Sequence, residues 1–356
     1  MKWDNKKFID FIQLQRGYDL TKEQFIEGPY PVVSSTSIMG YHNQYKVEGP
    51  GVVIGRSGTL GKVQYIDNNY WPHNTSLYVK DYKGNYPRFV YYFLMNFATD
   101  KHGGGSAVPT LNRNALSSIT IKVPDINTQK RIADILSAYD DLIENNQKQI
   151  KLLEEAAMRL YKEWFVNLRF PGHENSIIEN GIPEDWKIIQ LGEISDFKYG
   201  KMPKKDKIKE SGYPIFSGYG IVGYYDEFMF EDEMLILVAR GVGGTGDVKL
   251  SPCHCYLTNL SIAFLLHEEK YKYFLYQQYQ YKNLRELDTG AAQSQITIDN
   301  LKRHKTILPS IKIIEDFNRF FQPLHDKVLL LTEQINMLQA ARDKLLPKLM
   351  SGEIEV

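Results

Sequence analysis

Two stretches of the chain place apolar or register residues at alternating steps of four and three. The first holds Ile132, Leu136, Tyr139, Ile143, Asn146, Ile150, Leu153, Ala157, Leu160 and Trp164. The second holds Phe317, Phe321, Leu324, Val328, Leu331, Ile335, Leu338, Arg342, Leu345 and Leu349. Each is a heptad seam, which predicts two long helices burying their stripes on one another as a coiled coil. An antiparallel pairing is expected, and because each helix follows its own globular region it would throw the two domains to opposite ends. Asn146 and Arg342 place polar groups in the seams, as register devices or as partner-facing groups. Pro323 lacks an N–H and should kink or break the second helix near its start. That would leave a clean stretch over roughly 324–347, about 36 Å long at about 1.5 Å per residue.

Outside the seams the pattern is of short apolar or alternating runs, such as Val52–Ile54, Val63–Ile66 and Met234–Ala239, mixed with helical pieces at 86–97 and 271–281. These runs occur twice. "GPYPVVSSTSIMGYHN" (28–43) answers "SGYPIFSGYGIVGYYD" (211–226) at a displacement of 183. Trp3 answers Trp186, Gly17 answers Gly200, and Arg56 answers Arg240. Asn74-Thr75-Ser76 answers Asn259-Leu260-Ser261, "GGGSAVPTLN" (103–112) answers "DTGAAQSQIT" (288–297), and Pro124 answers Pro309. The two helical seams are related by 185. A displacement that drifts by so little marks an internal repeat. The expected fold is α+β: two similar α/β domains separated by two long helices packed as an antiparallel coiled coil, with an internal pseudo-two-fold repeat. The expected segments are a first domain at 1–125, a central helical spacer at 126–170, a linker and second domain at 171–310, and a C-terminal helical spacer at 311–356.

The repeat decides the meaning of "GVVIGRSGTLGKVQYI" (51–66), which resembles a phosphate-binding loop. The spacing from Gly55 to Gly61 is one residue too long, Val63 stands where a metal-holding hydroxyl belongs, and a strand follows instead of a helix. The second copy, "ARGVGGTGDV", has Asp247 in place of Lys62, and a carboxylate would repel a triphosphate. Both copies keep an arginine in a glycine-rich hairpin. The arginine's planar donor fork suits a phosphate or a guanine edge.

Composition narrows the classes further. Lys and Arg number 43 against 43 Asp and Glu, so any nucleic-acid surface is local. The most basic run is "KYGKMPKKDKIK" (198–209), a solvated loop or a phosphate-tracking one. Among the 24 tyrosines, Tyr41, Tyr219, Tyr224 and Tyr225 fall near loops, where they suit half-exposed packing or contact with a duplex. The only cysteines, Cys253 and Cys255, exclude a disulfide framework and fit a reducing cytoplasm. Cys253-His254-Cys255 lacks a fourth zinc ligand at suitable spacing. No run approaches the ~20 residues of a membrane span, and no apolar segment after the N-terminus suggests a signal peptide.

Two similar, non-identical modules on a rigid spacer would read two half-sites a set distance apart, one B-DNA turn being about 34–36 Å. At this point the chain resembles the specificity subunits of type I restriction–modification systems. The likeness lies in the order of domain and long helix in each half. It extends to "IPEDW" (182–186), "LPKLMSGEI" (346–354) and "PDINTQKRIADILSAYDDLIENNQKQIKLLEEAAMRLYKEWF" (124–165). The first copy departs from the pattern by starting at Trp3 without an Ile-Pro-Glu prelude, and "SIKIIEDFN" replaces the expected Glu-Gln pair in the second helical region.

The resemblance implies a non-catalytic reader of double-stranded DNA that recognises an asymmetric bipartite site. Its domains would be target-recognition domains, and its helices would set the spacer and dock two methyltransferase subunits. Restriction subunits with translocase and nuclease activity would complete the assembly. S-adenosylmethionine, ATP and Mg²⁺ would belong to those partners, and no cofactor to this chain. The sequence agrees in lacking the adenine-methyltransferase Asn/Asp-Pro-Pro-aromatic motif, a Walker A loop and HExxH. It leaves open whether the isolated chain self-associates through its helices.

Candidate DNA contacts in the first domain are Arg56, Ser57, Lys62, Asn74, Thr75 and the loop from Ser106 to Thr110. In the second they are Lys204, Lys205, Tyr219, Arg240, Thr245, Asn259, Ser261, Gln293, Ser294 and Gln295. These side chains suit base edges or phosphates. The competing class is a coiled-coil assembly scaffold with two ligand-binding modules and no DNA role.

Overall fold

A computed structural model describes residues 2–56, 62–97, 103–104, 110–111, 116–241, 243–289 and 294–356. The chain divides into two compact units, Met1–Gln147 with Glu333–Val356, and Lys148–Thr332. The long helices begin at Ile126 and Ile311, but the units cut across them. The reason is packing: Ile132 and Leu136 share the first unit's core with Leu346 and Leu349, whereas Ala157 and Tyr161 share the second unit's core with Phe317 and Phe321.

In the first unit a four-stranded sheet runs in the order Gln13–Arg16, Ser76–Asp81, Gly51–Gly55, Val63–Ile66, all neighbours antiparallel. Gly51–Gly55 is buried along its whole length, which is what an uninterrupted Val-Val-Ile run requires of a central strand. A three-stranded sheet orders Ile38–His42, Tyr30–Val33, Trp71–Pro72, with the last strand parallel to the middle one. Trp3–Lys7 pairs with Thr120–Pro124 and delivers the chain to the first long helix.

The second unit repeats this arrangement strand for strand. Its four-stranded sheet is Ser195–Tyr199, Ser261–Leu266, Leu235–Val238, Val248–Leu250, and its three-stranded sheet is Ile221–Tyr225, Tyr213–Phe216, Tyr256–Leu257. Lys187–Gln190 pairs with Lys305–Leu308 ahead of the second long helix. The repeat read in the sequence is a repeat of topology.

Particular recurring residues have structural reasons. A Cβ on Gly17 would overlap the carbonyl oxygens of His73 and Pro72, and one on Gly200 those of Thr258 and Leu257. In both units the backbone leaves the sheet through a gap that only hydrogen fits. Ser76 and Ser261 are fully buried, and their hydroxyls donate to the carbonyl oxygens of Val33 and Ser217 at 3.3 and 3.0 Å. These serines hold the three-stranded sheet to the four-stranded one.

The first long helix, Ile126–Tyr161, spans 36 residues and ends in a wide turn at Lys162–Val166. Asp125 opens it. Its carboxylate accepts from the Thr128 hydroxyl at 2.8 Å and from the Asn127 and Thr128 N–H groups, which holds its pKa below the ordinary carboxylate value. The acceptor position and the negative charge both favour a helix N-terminus.

The second long helix, Ile311–Ser351, spans 41 residues and runs through Pro323 without interruption, contrary to the break expected there. Proline costs the helix one hydrogen bond, but Phe317 and Phe321 are buried on one side of it and Leu324 packs on the same core. The Pro323 ring itself faces solvent. The uninterrupted helix is about 62 Å long at about 1.5 Å per residue, well beyond the segment expected from the sequence.

Within each unit the helix pairing is antiparallel. In the first, Asn146 Nδ2 donates to Gln334 Oε1 at 3.3 Å and Arg342 reaches Asp140 at 2.6 Å. In the second, Tyr161 and Trp164 pack on Phe317. Of the seam residues, Ile132, Leu136, Ile143, Asn146, Ala157, Trp164, Phe317, Phe321, Leu331, Ile335 and Leu349 are buried. Ile150, Leu153, Leu160, Leu324, Val328, Leu338 and Leu345 are half-buried.

Candidate nucleic-acid interface

The second unit gathers several of the expected contact residues around one glycine loop. Arg240 lies two residues beyond the strand Leu235–Val238, and its backbone bridges to Gln295. Its guanidinium lies 5.9 Å from the centre of the Tyr199 ring, and its buried Nε has no hydrogen-bond partner among the described residues. Tyr219 is half exposed, and its hydroxyl donates to the Arg240 carbonyl oxygen at 3.1 Å. The Tyr219 ring also lies where side chains at Gly241 and Gly244 would stand, so the loop can lie flat on the ring only because both are glycine. From the other side Arg285 donates to the Gly243 carbonyl oxygen at 3.1 Å. Asp288 accepts from the Ser294 hydroxyl and from the Gln295 N–H at 2.7 Å.

The result is a pinned turn with an arginine, a half-exposed tyrosine and a glutamine close together. A guanidinium at the margin of cation–π range from an aromatic ring presents a planar donor fork suited to a phosphate or to guanine O6 and N7.

Other expected residues serve the fold. Thr245 is buried, and its hydroxyl donates to the Gly241 carbonyl oxygen at 2.8 Å. Ser261 is buried as described above. Both are removed from a surface role because their hydroxyls are spent inside. Ser294 is tied to Asp288, and Asn259 is half-buried in the turn after Tyr256–Leu257. Gln293 lies outside the described residues.

Lys204 and Lys205 are exposed and have no ion pair among the described residues, whereas their neighbours Lys207 and Lys209 face Glu227 and Asp226 at 3.9 and 2.5 Å. Cys253 and Cys255 are free thiols, and no metal-holding cluster occurs among the described residues.

In the first unit Arg56 is half-exposed at the end of Gly51–Gly55, its N–H bonded to the Thr75 carbonyl oxygen at 3.0 Å, and Lys62 is exposed at the start of the returning strand. Asn74 donates to the Asp19 carboxylate. Thr75 accepts from the Ser35 N–H at 3.3 Å and lies 3.0 Å from His73 Nδ1. Both are therefore engaged in holding the turn. Ser57 and Ser106 lie outside the described residues, and Thr110 falls in a short strand with Leu111 opposite Gly103–Gly104.

Sequence reasoning missed Tyr199, Arg285 and Asp288. None carries a repeat signal, since the corresponding first-copy residues differ in kind. The exposed Tyr41 and Tyr219 fit a surface role, whereas Tyr225 is buried against Tyr256.

The type I restriction modification DNA specificity domain matches this chain twice, over residues 1–155 and 183–340. The chain is 27% identical over 298 residues to the type I restriction enzyme MjaIX specificity subunit of Methanocaldococcus jannaschii, covering 75% of this chain and 69% of that protein. It is 22% identical to the HindI specificity subunit of Haemophilus influenzae, covering 83% and 84%. The crystal structure of the S subunit of a type I restriction-modification system from M. genitalium superposes with a TM-score of 0.68 at 19% identity, covering 98% of this chain and 96% of that one. The double match falls on the two units that share one strand order, and the chain belongs to the type I restriction-modification DNA specificity family.

Proposed function

We propose that this chain selects the DNA target of a type I restriction–modification complex, each domain reading one segment of an asymmetric, two-part site. The observation that carries the reading is that one topology occurs twice with different residues on corresponding loops. Arg56 with Lys62 stands in the first copy, and Arg240 with Asp247 in the second. A shared scaffold with unlike loops suits two unlike half-sites. Arg56, Lys62, Lys204, Lys205, Tyr219, Arg240 and Gln295 are the residues assigned to DNA. The arginines and Gln295 suit base edges, and the lysines suit phosphates, which position the protein without carrying sequence information.

The long helices fix the gap between the half-sites and present surface to two methyltransferase subunits. Methyl transfer, translocation and cleavage belong to the methyltransferase and restriction partners, with S-adenosylmethionine, ATP and Mg²⁺ bound there. The chain itself turns nothing over, and methyl transfer by the pure chain would refute this. No described helix is long and apolar enough to cross a membrane.

Arg240→Ala tests the assignment. Loss of one base-reading arginine is worth about 1–3 kcal/mol of discrimination, roughly fivefold to 150-fold. The expected result, read by competition binding of the assembled methyltransferase to site variants, is relaxed discrimination at one half-site with the other unchanged. A uniform loss over both half-sites would assign Arg240 to phosphate or to folding instead.

A further inference from the structure

The two units differ at one place in their shared packing. In the first, Arg342 on the second long helix donates to Asp140 Oδ1 on the first at 2.6 Å, and the Tyr92 hydroxyl donates to Asp140 Oδ2 at 2.5 Å. The seam displacement of 185 carries this group onto the second unit, where Ala157 answers Arg342, His325 answers Asp140 and Gln277 answers Tyr92. A methyl group thus stands where the first unit has an arginine side chain.

A cavity of about 200 Å³ opens at that place, and Ala157, His325 and Gln277 all line it, together with Glu154 and Tyr276. Its volume exceeds that of several waters at about 30 Å³ each. Gln277 is 5% exposed, yet its Oε1 is buried without a hydrogen-bond partner among the described residues. A buried carboxamide oxygen without a donor is costly.

The lining is set for a donor. It offers the Gln277 carboxamide and the Glu154 carboxylate and includes no lysine or arginine. His325 spends Nε2 on Glu233 at 2.8 Å, and Lys272 faces Glu233 and Glu269 at 3.9 and 3.4 Å, so the neighbouring cation is already engaged. Burial, with the field of Glu154 and Glu233, pushes the Tyr276 hydroxyl up to about 12, so its ring lines the cavity as a neutral phenol.

We propose that this cavity binds a guanidinium group, in the place that Arg342 fills in the first unit. Gln277 and Glu154 are its acceptors, and Tyr276 provides an aromatic surface. Guanidinium is weakly hydrated and stacks on aromatic rings, which suits it to a half-apolar site.

The test titrates methylguanidinium at millimolar concentration into the full chain, following the Ala157 and Met158 methyl resonances and the Tm. Saturable shifts at both methyls with a rise in Tm are expected, while the neutral isostere N-methylurea leaves both unchanged. Gln277→Leu should weaken the apparent affinity at least tenfold, and Ala157→Arg, which fills the cavity, should abolish the response. Non-saturable shifts, an equal response to N-methylurea, or an unchanged response in a folded Gln277→Leu protein would overturn the proposal. The methyl shifts decide the matter in the wild-type chain even where a variant fails to fold. Given binding, repeating the titration on the assembled complex separates the sources. A response lost on assembly assigns the guanidinium to a partner's arginine, and a retained response assigns it to a free metabolite.

Discussion

Gly200→Ala is expected to destabilise the second unit by about 3 kcal/mol or more, at the upper end of overpacking costs. The added Cβ would fall on the Thr258 and Leu257 carbonyl oxygens, which are backbone and cannot rotate away. The same segment is held from both sides. Gly200 donates to the Ser261 carbonyl oxygen at 3.0 Å, and Lys201 to that of Leu257 at 2.9 Å. Gly17→Ala should do the same to the first unit, against His73 and Pro72. Close approach, not backbone conformation, is the requirement, so alanine is already too large. Urea denaturation with hydrogen exchange resolved by unit checks this. Each variant should lower protection chiefly in its own unit, and wild-type midpoints would show that the facing carbonyl groups can yield.

Asp140→Ala carries the second large effect. The side chains of Asp140 and Arg342 are only 17% and 16% exposed, and the carboxylate is acceptor to both Arg342 and Tyr92. Its removal leaves a buried phenol without its acceptor and a half-buried guanidinium held only by the more exposed Asp343, to which it donates at 3.0 and 2.9 Å. Stranding one member of a largely buried pair costs several kcal/mol, and partial exposure with the remaining Asp343 pair reduces that to about 2–3 kcal/mol. Arg342→Met should cost less, because Tyr92 still donates to Asp140. The double variant should fall short of the sum by about 1–3 kcal/mol, the size of a direct coupling. Equilibrium denaturation of the four proteins gives this cycle. Additivity within about 0.5 kcal/mol would show that the pair contributes nothing beyond its separate parts.

Much of the architecture was legible because it rests on periodic signals. The seams gave both helices, and the displaced Tyr-Pro, Gly-Tyr and glycine pairs gave the repeat. Some residues were legible in position but not in role. Ser76 and Ser261 recur because both join two sheets from inside, and recurrence alone does not separate a core hydroxyl from a surface one. Arg342 stood out as a polar seam residue, but its partner Asp140 lies off the seam and Tyr92 lies in another element. No spacing rule joins the three. Pro323 shows tertiary packing outweighing a local preference: two buried phenylalanines hold a turn that proline alone would disfavour. The setting of Arg240 was hidden for a similar reason. Tyr199, Arg285 and Asp288 approach it from three separate segments, and contacts of that kind leave no trace in the order of residues.

The central claim is that two unlike domains of one chain name two unlike half-sites. The most direct test co-expresses the chain with its methyltransferase partner and maps methylated adenines across the host DNA, with wild-type and Arg240→Ala chains side by side. The account predicts a split motif with a fixed gap, absent without this chain, and degeneracy confined to one half when Arg240 is replaced. A properly assembled complex that leaves the DNA unmethylated, or a motif unchanged by the presence of this chain, would contradict it.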